Sequence, residues 1–121
     1  MSNPTLIVTA PPNEANPDGD VFGGWMMSQL DLAGGITASR KAGGRVATVG
    51  VKELTFIKPV FVYDVVSFHT EIVKIGKTSI TVFIEAHSDR KLGAGESGIK
   101  VGEATITYVA IQEPGVKKTL S

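Results

Sequence analysis

The spacing of apolar and polar residues changes period once along the chain. From Val21 to Ser39 the run VFGGWMMSQLDLAGGITAS carries a single charge, Asp31. At 100° per residue, Trp25, Met26, Met27, Leu30, Leu32, Ala33, Ile36 and Ala38 spread almost all the way round a helix. That is the pattern of a buried helix, not of a surface helix with one wet face. A run of roughly 20 residues is also long enough to span a membrane. Asp31, Gln29 and four glycines make it a poor span, and no second one follows. The helix is expected to stop in Arg40-Lys41-Ala42-Gly43-Gly44, with cations in its last turn and glycine just beyond.

On either side the pattern is that of strands. Thr5 to Thr9 is short and β-branched and ends at Pro11-Pro12. Asn16-Pro17-Asp18-Gly19-Asp20 is turn chemistry. After Arg45 residues alternate with period two. Val46 to Ile57 is expected to put Val46, Thr48, Gly50, Lys52, Leu54 and Phe56 on one face, before Pro59 bends or ends it. Val65 to Ile75 and Thr78 to His87 form the next pair, joined at Gly76-Lys77 by an expected type II′ hairpin with Gly76 first. In the second of these, Ile80, Val82, Ile84 and Ala86 face inward. Ser88 to Ile99 reads as a Gly-rich, charged loop, expected to be mobile. Lys100 to Ile111 is the last strand, and Pro114-Gly115 begins a polar tail.

One buried helix and about five antiparallel strands predict an α+β domain spanning residues 1–121. A single sheet can cover only one side of that helix. The other side, with Asp31 and Gly34-Gly35, is expected to meet a second copy of the chain.

Composition narrows the chemistry. Lys and Arg number 12 and Asp and Glu 12, so no net field argues for nucleic acid or an anionic membrane. With no cysteine, disulfide and thiolate chemistry are excluded. The start MSNPTLIVTAPP lacks a basic, apolar leader, so a cytoplasmic location is the expectation. The two histidines, His69 and His87, have no metal-ligand spacing, so no metal is expected. No G-x-S-x-G and no phosphate-binding loop occurs, and Gly76-Lys77-Thr78-Ser79 belongs to a hairpin. No cofactor is expected.

A lone carboxylate on an apolar helix demands a partner or a function, because burying it unpaired is costly. Asp31 is either bonded to neighbouring backbone or sits in a cleft that the small residues around it leave open. Gly23-Gly24, at the helix start, offers first-turn N–H groups with no internal partner, able to hold an oxygen that becomes negative. The plainer alternative is a tight loop-to-helix joint.

Asn16, Gly19-Asp20, Phe22-Gly23-Gly24-Trp25, Ser28, Asp31 and Ala33, followed by Thr48-Val49, Phe56, Pro59-Val60 and Asp64, resemble the acyl-CoA thioesterases of the hotdog fold. Within them, the pattern resembles the short-to-medium-chain hydrolases related to the cytosolic brain-type enzyme. The resemblance implies a hotdog fold, a long central helix wrapped by a roughly five-stranded sheet, in dimers that assemble to a hexamer (a trimer of dimers) or a tetramer. The family's catalytic Asn and Asp match Asn16 and Asp31 and come from different hotdog units. Gly23 and Gly24 would polarise the thioester carbonyl, with Asp31 as general base or nucleophile. Coenzyme A, as part of the substrate, would lie along a strand edge near the hairpin. Phe22, Thr48, Lys58, Gly76, Lys77, Thr78, Ser79 and Arg90 are the candidate contacts. The alternatives are a non-catalytic acyl- or acyl-CoA-binding hotdog protein and an acyl-CoA dehydratase or hydratase. The latter would want a histidine where this chain offers Asn16.

Overall fold

The computed structural model describes residues 3–90 and 95–120. In chain order it contains β1 (Leu6–Thr9), a single 3-10 turn (Pro12–Glu14), α1 (Gly23–Ala42), β2 (Val46–Phe56), β3 (Val65–Ile75), β4 (Ser79–Asp89), β5 (Ile99–Glu113) and β6 (Val116–Lys117). The sheet is antiparallel, in the order β1-β3-β4-β5-β2, with β6 hanging on β5. Part of the predicted 88–99 loop, residues 91–94, lies outside the described residues.

The helix starts without a side-chain cap and ends in a left-handed Gly43 (φ 70°), whose N–H donates to Ser39 O. Only glycine adopts that angle at little cost, so the stop expected at 40–44 has its physical reason. Trp25, Met26, Leu30, Ala33 and Ala38 are buried against Phe68, Ile80, Ile84, Ile106 and Tyr108 of the sheet. On β4 burial alternates without a break, as expected for Ile80, Val82, Ile84 and Ala86. Thr37 joins the helix to the sheet, its hydroxyl 2.6 Å from that of Thr70, which also meets Thr5 at 2.7 Å.

Three sequence expectations change. The alternation along β2 breaks twice, between Thr48 and Gly50 and between Lys52 and Thr55. After the first irregularity Val51 pairs with the inward Ile106, and Gly50 and Lys52 leave the face assigned to them. An extra residue in one strand shifts every later side chain to the other face. At the hairpin, Gly76 N–H donates to Ser79 O and Ile75 pairs with Ile80, so the two central residues are Lys77 and Thr78. None of these residues has positive φ, and the turn is not type II′. Third, the polar tail turns back at Gly115, adds β6 to the sheet, and is held by Lys118 N–H to Ala110 O and Leu120 N–H to Lys77 O.

One flank of the helix stays uncovered. Gly24, Met27, Ser28 and Leu32 are exposed there, and Asp31 and Gly35 are half-buried. The adjacent edge strand, β2, exposes Val49 and Phe56 by more than half.

Candidate active site

Asp31 stands on the uncovered flank of α1. Thr48 of β2 donates its hydroxyl to Asp31 Oδ1 at 2.7 Å. The Asp31 main-chain oxygen accepts a 2.7 Å bond from the hydroxyl of Tyr108 on β5. Burial, and then the nearby Asp31 charge, push the Tyr108 phenol far above its usual range, so it is a permanent donor. Two strands therefore fix the helical turn that carries the acid, and among the described residues no hydrogen bond reaches Oδ2. A groove of about 640 Å³ opens beside Asp31 and Thr48 and runs past Gly35 and Val46.

Asn16 is built differently. Its Oδ1 accepts from the N–H groups of Asp18 at 3.0 Å and Asp20 at 3.2 Å, which shapes its own turn. With the oxygen committed, the amide NH₂ is the donor left over. Asn16, Gly23 and Lys58 line a second cleft of about 180 Å³ with Phe56 and Met26. Phe22 is the N-cap, half exposed; its oxygen takes the N–H groups of Trp25 and Met26, so those of Gly23 and Gly24 stand ahead of the first intrahelical bond. At Gly23 a Cβ would press the Phe56 ring at 3.1 Å, whereas at Gly24 it would meet open space. Helix N–H groups ahead of the first internal bond are the kind of donors an oxyanion site uses.

The two clefts share no lining residue. Within one chain the structure brings Asn16, Gly23 and Lys58 together, and Asp31 and Thr48 together, but not the two groups with each other. Thr48, expected as a substrate contact, lines the groove and also donates its hydroxyl to Asp31. Gly76, Lys77, Thr78 and Ser79 are in neither cleft; the carbonyl of Lys77 accepts from the tail at Leu120 N–H, and that of Thr78 from Ala110 N–H of β5. Arg90, expected to meet coenzyme A, has its guanidinium engaged within the chain. It lies 3.5 Å from buried Asp64, donates to Pro59 O at 2.8 Å, and stacks 4.7 Å over Phe61. A guanidinium with a carboxylate, a carbonyl and a ring already in place has a structural task, here pinning the 59–64 turn. That turn in turn carries the Asn16 loop, through Val21 N–H to Val60 O and Val62 N–H to Gly19 O.

Gly34 also departs from expectation. It faces the chain's own sheet, where an added Cβ would collide with the Tyr108 hydroxyl. Of the glycine pair only Gly35 lines the groove. Ser28 bonds backbone, its hydroxyl donating to Trp25 O at 2.7 Å. Among the described residues no cluster of His, Cys, Asp or Glu could hold a metal, and no helix is long and apolar enough to cross a membrane. Tyr108 and the Asp64–Ser88–Arg90 network escaped the sequence reading. The one available signal for Tyr108 was its inward parity with Ala104 and Ile106 on the last strand.

The model of the thioesterase superfamily matches residues 18–94. The chain is 43% identical to the acyl-CoA thioester hydrolase YciA of Salmonella typhimurium over 117 residues, covering 95% of this chain and 87% of that protein. Its structure is similar to a hexameric hotdog fold thioesterase of Campylobacter jejuni (TM-score 0.92, 38% identity, 99% of this chain and 91% of the other). It is likewise similar to a hexameric thioesterase of Yersinia pestis (TM-score 0.90, 42% identity, 98% and 95%).

Proposed function

The chain belongs to the thioesterase superfamily, in its hotdog fold, and from that premise we propose that it hydrolyses acyl-CoA thioesters to free acid and coenzyme A, one active site being shared between two copies. The unit that does so is a single hotdog domain, residues 1–121. The observation that carries the shared site is the separation of the two clefts. Gly24 and Asp31 are seven residues apart on one helix, about 10 Å along its axis. Reaction needs the carboxylate or its water within roughly 3–3.5 Å of the carbonyl carbon. One helix cannot serve one thioester with both. Two antiparallel helices meeting along the exposed Gly24, Ser28, Asp31 and Gly35 flank bring the start of one beside the second turn of the other. Small residues on that flank let the backbones approach. The exposed apolar edge of β2 gives the second copy a surface to cover. Assembly of such dimers to a hexamer is proposed with it, in line with the hexameric relatives.

The chemistry follows from the groups. The N–H groups of Gly23 and Gly24 of one copy hold the thioester oxygen, and Asn16 orients water or substrate with its free NH₂. Asp31 of the other copy, aligned by Thr48, takes a proton from water as the hydroxide adds to the carbonyl. The thiolate of coenzyme A then leaves, and it needs little help because it is a good leaving group. Attack by Asp31 itself, through a mixed anhydride, is the second route; single turnover in isotope-labelled water separates them by label entering Asp31. Phe22, Lys58 and the hairpin residues Gly76, Lys77, Thr78 and Ser79 are proposed to touch coenzyme A, which is substrate and not cofactor. A cytoplasmic location is proposed from the character of the MSNPTLIVTAPP start, and a place beside the cytosolic brain-type hydrolases from the FGGW…D element and the strand residues that accompany it.

The test is thioester hydrolysis over several chain lengths, followed with a thiol reagent. Asp31→Asn is expected to keep its fold and lose orders of magnitude in kcat. Near-full activity of that variant overturns the reading.

A further inference from the structure

Three cations among the described residues are held by acceptors of the chain. Lys100 meets Glu85 and Glu103, Arg90 meets Asp64, and Lys118 caps the helix at Ala42 O. Arg40 and Arg45 are set apart by where they stand. Both are exposed, and among the described residues neither takes part in an ion pair or a side-chain hydrogen bond. Yet both line the groove that holds Asp31 and Thr48.

Their positions give that groove a polarity. Arg45 directly precedes β2 and lies three residues from Thr48, about 10 Å along an extended strand. Arg40 is nine residues after Asp31, about 14 Å along the helix axis. Between the acid and the two guanidinium groups the lining carries no charge: Leu32, Gly35, Ile36 and Val46, with the hydroxyls of Ser39 and Tyr108 donating to main-chain oxygens. A molecule filling this groove has a reactive group at one end, a largely uncharged arm, and a negative end. We infer that Arg40 and Arg45 form a subsite for an anionic oxygen group of the thioester substrate, carried about 10–14 Å from the reacting carbon. Guanidinium is suited to it, because its planar donors match phosphate and carboxylate in pairs. Two parts of such a substrate have this chemistry: a phosphate of coenzyme A at the end of the pantetheine arm, or a second carboxylate at the end of a dicarboxylic acyl chain. The inference rests on the acyl-CoA hydrolase reading for the identity of the ligand.

The experiment compares wild type with the Arg40→Gln/Arg45→Gln double variant on octanoyl-CoA, octanoyl-pantetheine and suberoyl-pantetheine. Both arginines are exposed, so the variant is expected to fold. Octanoyl-pantetheine has neither anion and its KM is expected to stay unchanged. If the subsite takes phosphate, KM for octanoyl-CoA rises about 10- to 100-fold, the range for a lost charge-assisted contact. If it takes a carboxylate, the same rise falls on suberoyl-pantetheine. KM values unchanged for all three, or changed alike for all three, overturn the subsite. Should wild type hydrolyse none of them, the hydrolase reading fails by itself. Calorimetric binding of coenzyme A and of suberic acid to both proteins then decides the subsite: weaker binding of either by the variant supports it, and equal or absent binding overturns it.

Discussion

At the scale of single residues, the site depends on how one carboxylate is held. Thr48 gives Asp31 a charge-assisted bond of 2.7 Å from a neighbouring strand, and among the described residues no other side chain bonds the carboxylate. Thr48→Val keeps the shape and removes the donor. Loss of a hydrogen bond to a charged group costs about 1.5–3 kcal/mol, so kcat is expected to fall roughly 10- to 100-fold. KM should move little, and Thr48→Ser should recover most of the rate. A change confined to KM would return Thr48 to the role of a substrate contact. Asp64 is the second residue of this kind. It accepts from Phe61 N–H, from Ser88 Oγ at 2.8 Å and from Arg90, all at a nearly buried position. Asp64→Ala strands those donors and is expected to cost about 1–3 kcal/mol in denaturant unfolding. Because the 59–64 turn supports the Asn16 loop, activity should fall in the protein that remains folded.

Elements bring in packing and charge. The adjacent glycines of α1 do different things. At Gly34 an added methyl would meet the Tyr108 hydroxyl and lie 3.0 Å from Ile84, while at Gly35 it would sit 3.7 Å from the Tyr108 ring, an ordinary contact. Overpacking a close-packed site costs about 1–3 kcal/mol, against a helix-propensity gain near 1 kcal/mol for replacing glycine. Gly34→Ala is therefore expected to destabilise the chain, and Gly35→Ala to leave its folding unchanged or improved while weakening association of two copies. Chemical denaturation and sedimentation read the two effects separately. On the outer face of the sheet, Glu85 lies between His87 and Lys100. Partial burial opposes its charge, but the bonds from His87 and Lys100 outweigh that and hold its pKa below the ordinary 4.5. A lowered pKa means that this contribution to stability is complete above about 4.5 and fades as the pH falls through the folded value. Glu85→Gln should flatten the loss of stability in that acid range and leave the neutral range nearly unaltered.

For the whole molecule, what matters is that one chain holds two half-sites. An Asn16→Ala chain and an Asp31→Ala chain should each be inactive by itself. A mixed dimer would contain one doubly damaged site and one intact site. Co-expressed and purified as a mixed pair, confirmed by mass, it is expected to recover up to about half of the wild-type rate per dimer. Mixed dimers as inactive as either parent would rule out the shared site. The same argument assigns a task to the exposed edge of β2. Long apolar edge strands invite pairing, and here the pairing partner is proposed to be a second copy.

Some of this was legible in the order of residues, because the relevant physics is local. The helix shows in the aperiodic apolar run and stops where Gly43 can take a left-handed angle. The strict alternation of Ile80, Val82, Ile84 and Ala86 needs no tertiary information to be assigned to the core. Asp31 was conspicuous because a charge among apolar residues is costly wherever the run folds. The rest depended on distances between residues far apart in sequence. The two slips in β2 follow from its register against β5, and they decide that Val51 and not Gly50 or Lys52 shares the inner face. Thr48 meets Asp31, and Tyr108 meets both its carbonyl and Gly34, only after three elements have packed. Arg90, expected as a ligand contact, also has a structural ion pair, because folding places a buried carboxylate beside it, which no spacing along the chain can show. Arg40 and Arg45 come to line the groove beside the acid only once α1 and β2 have packed. Sequence periodicity reports which side chains leave water, whereas their partners are set by how the sheet wraps the helix.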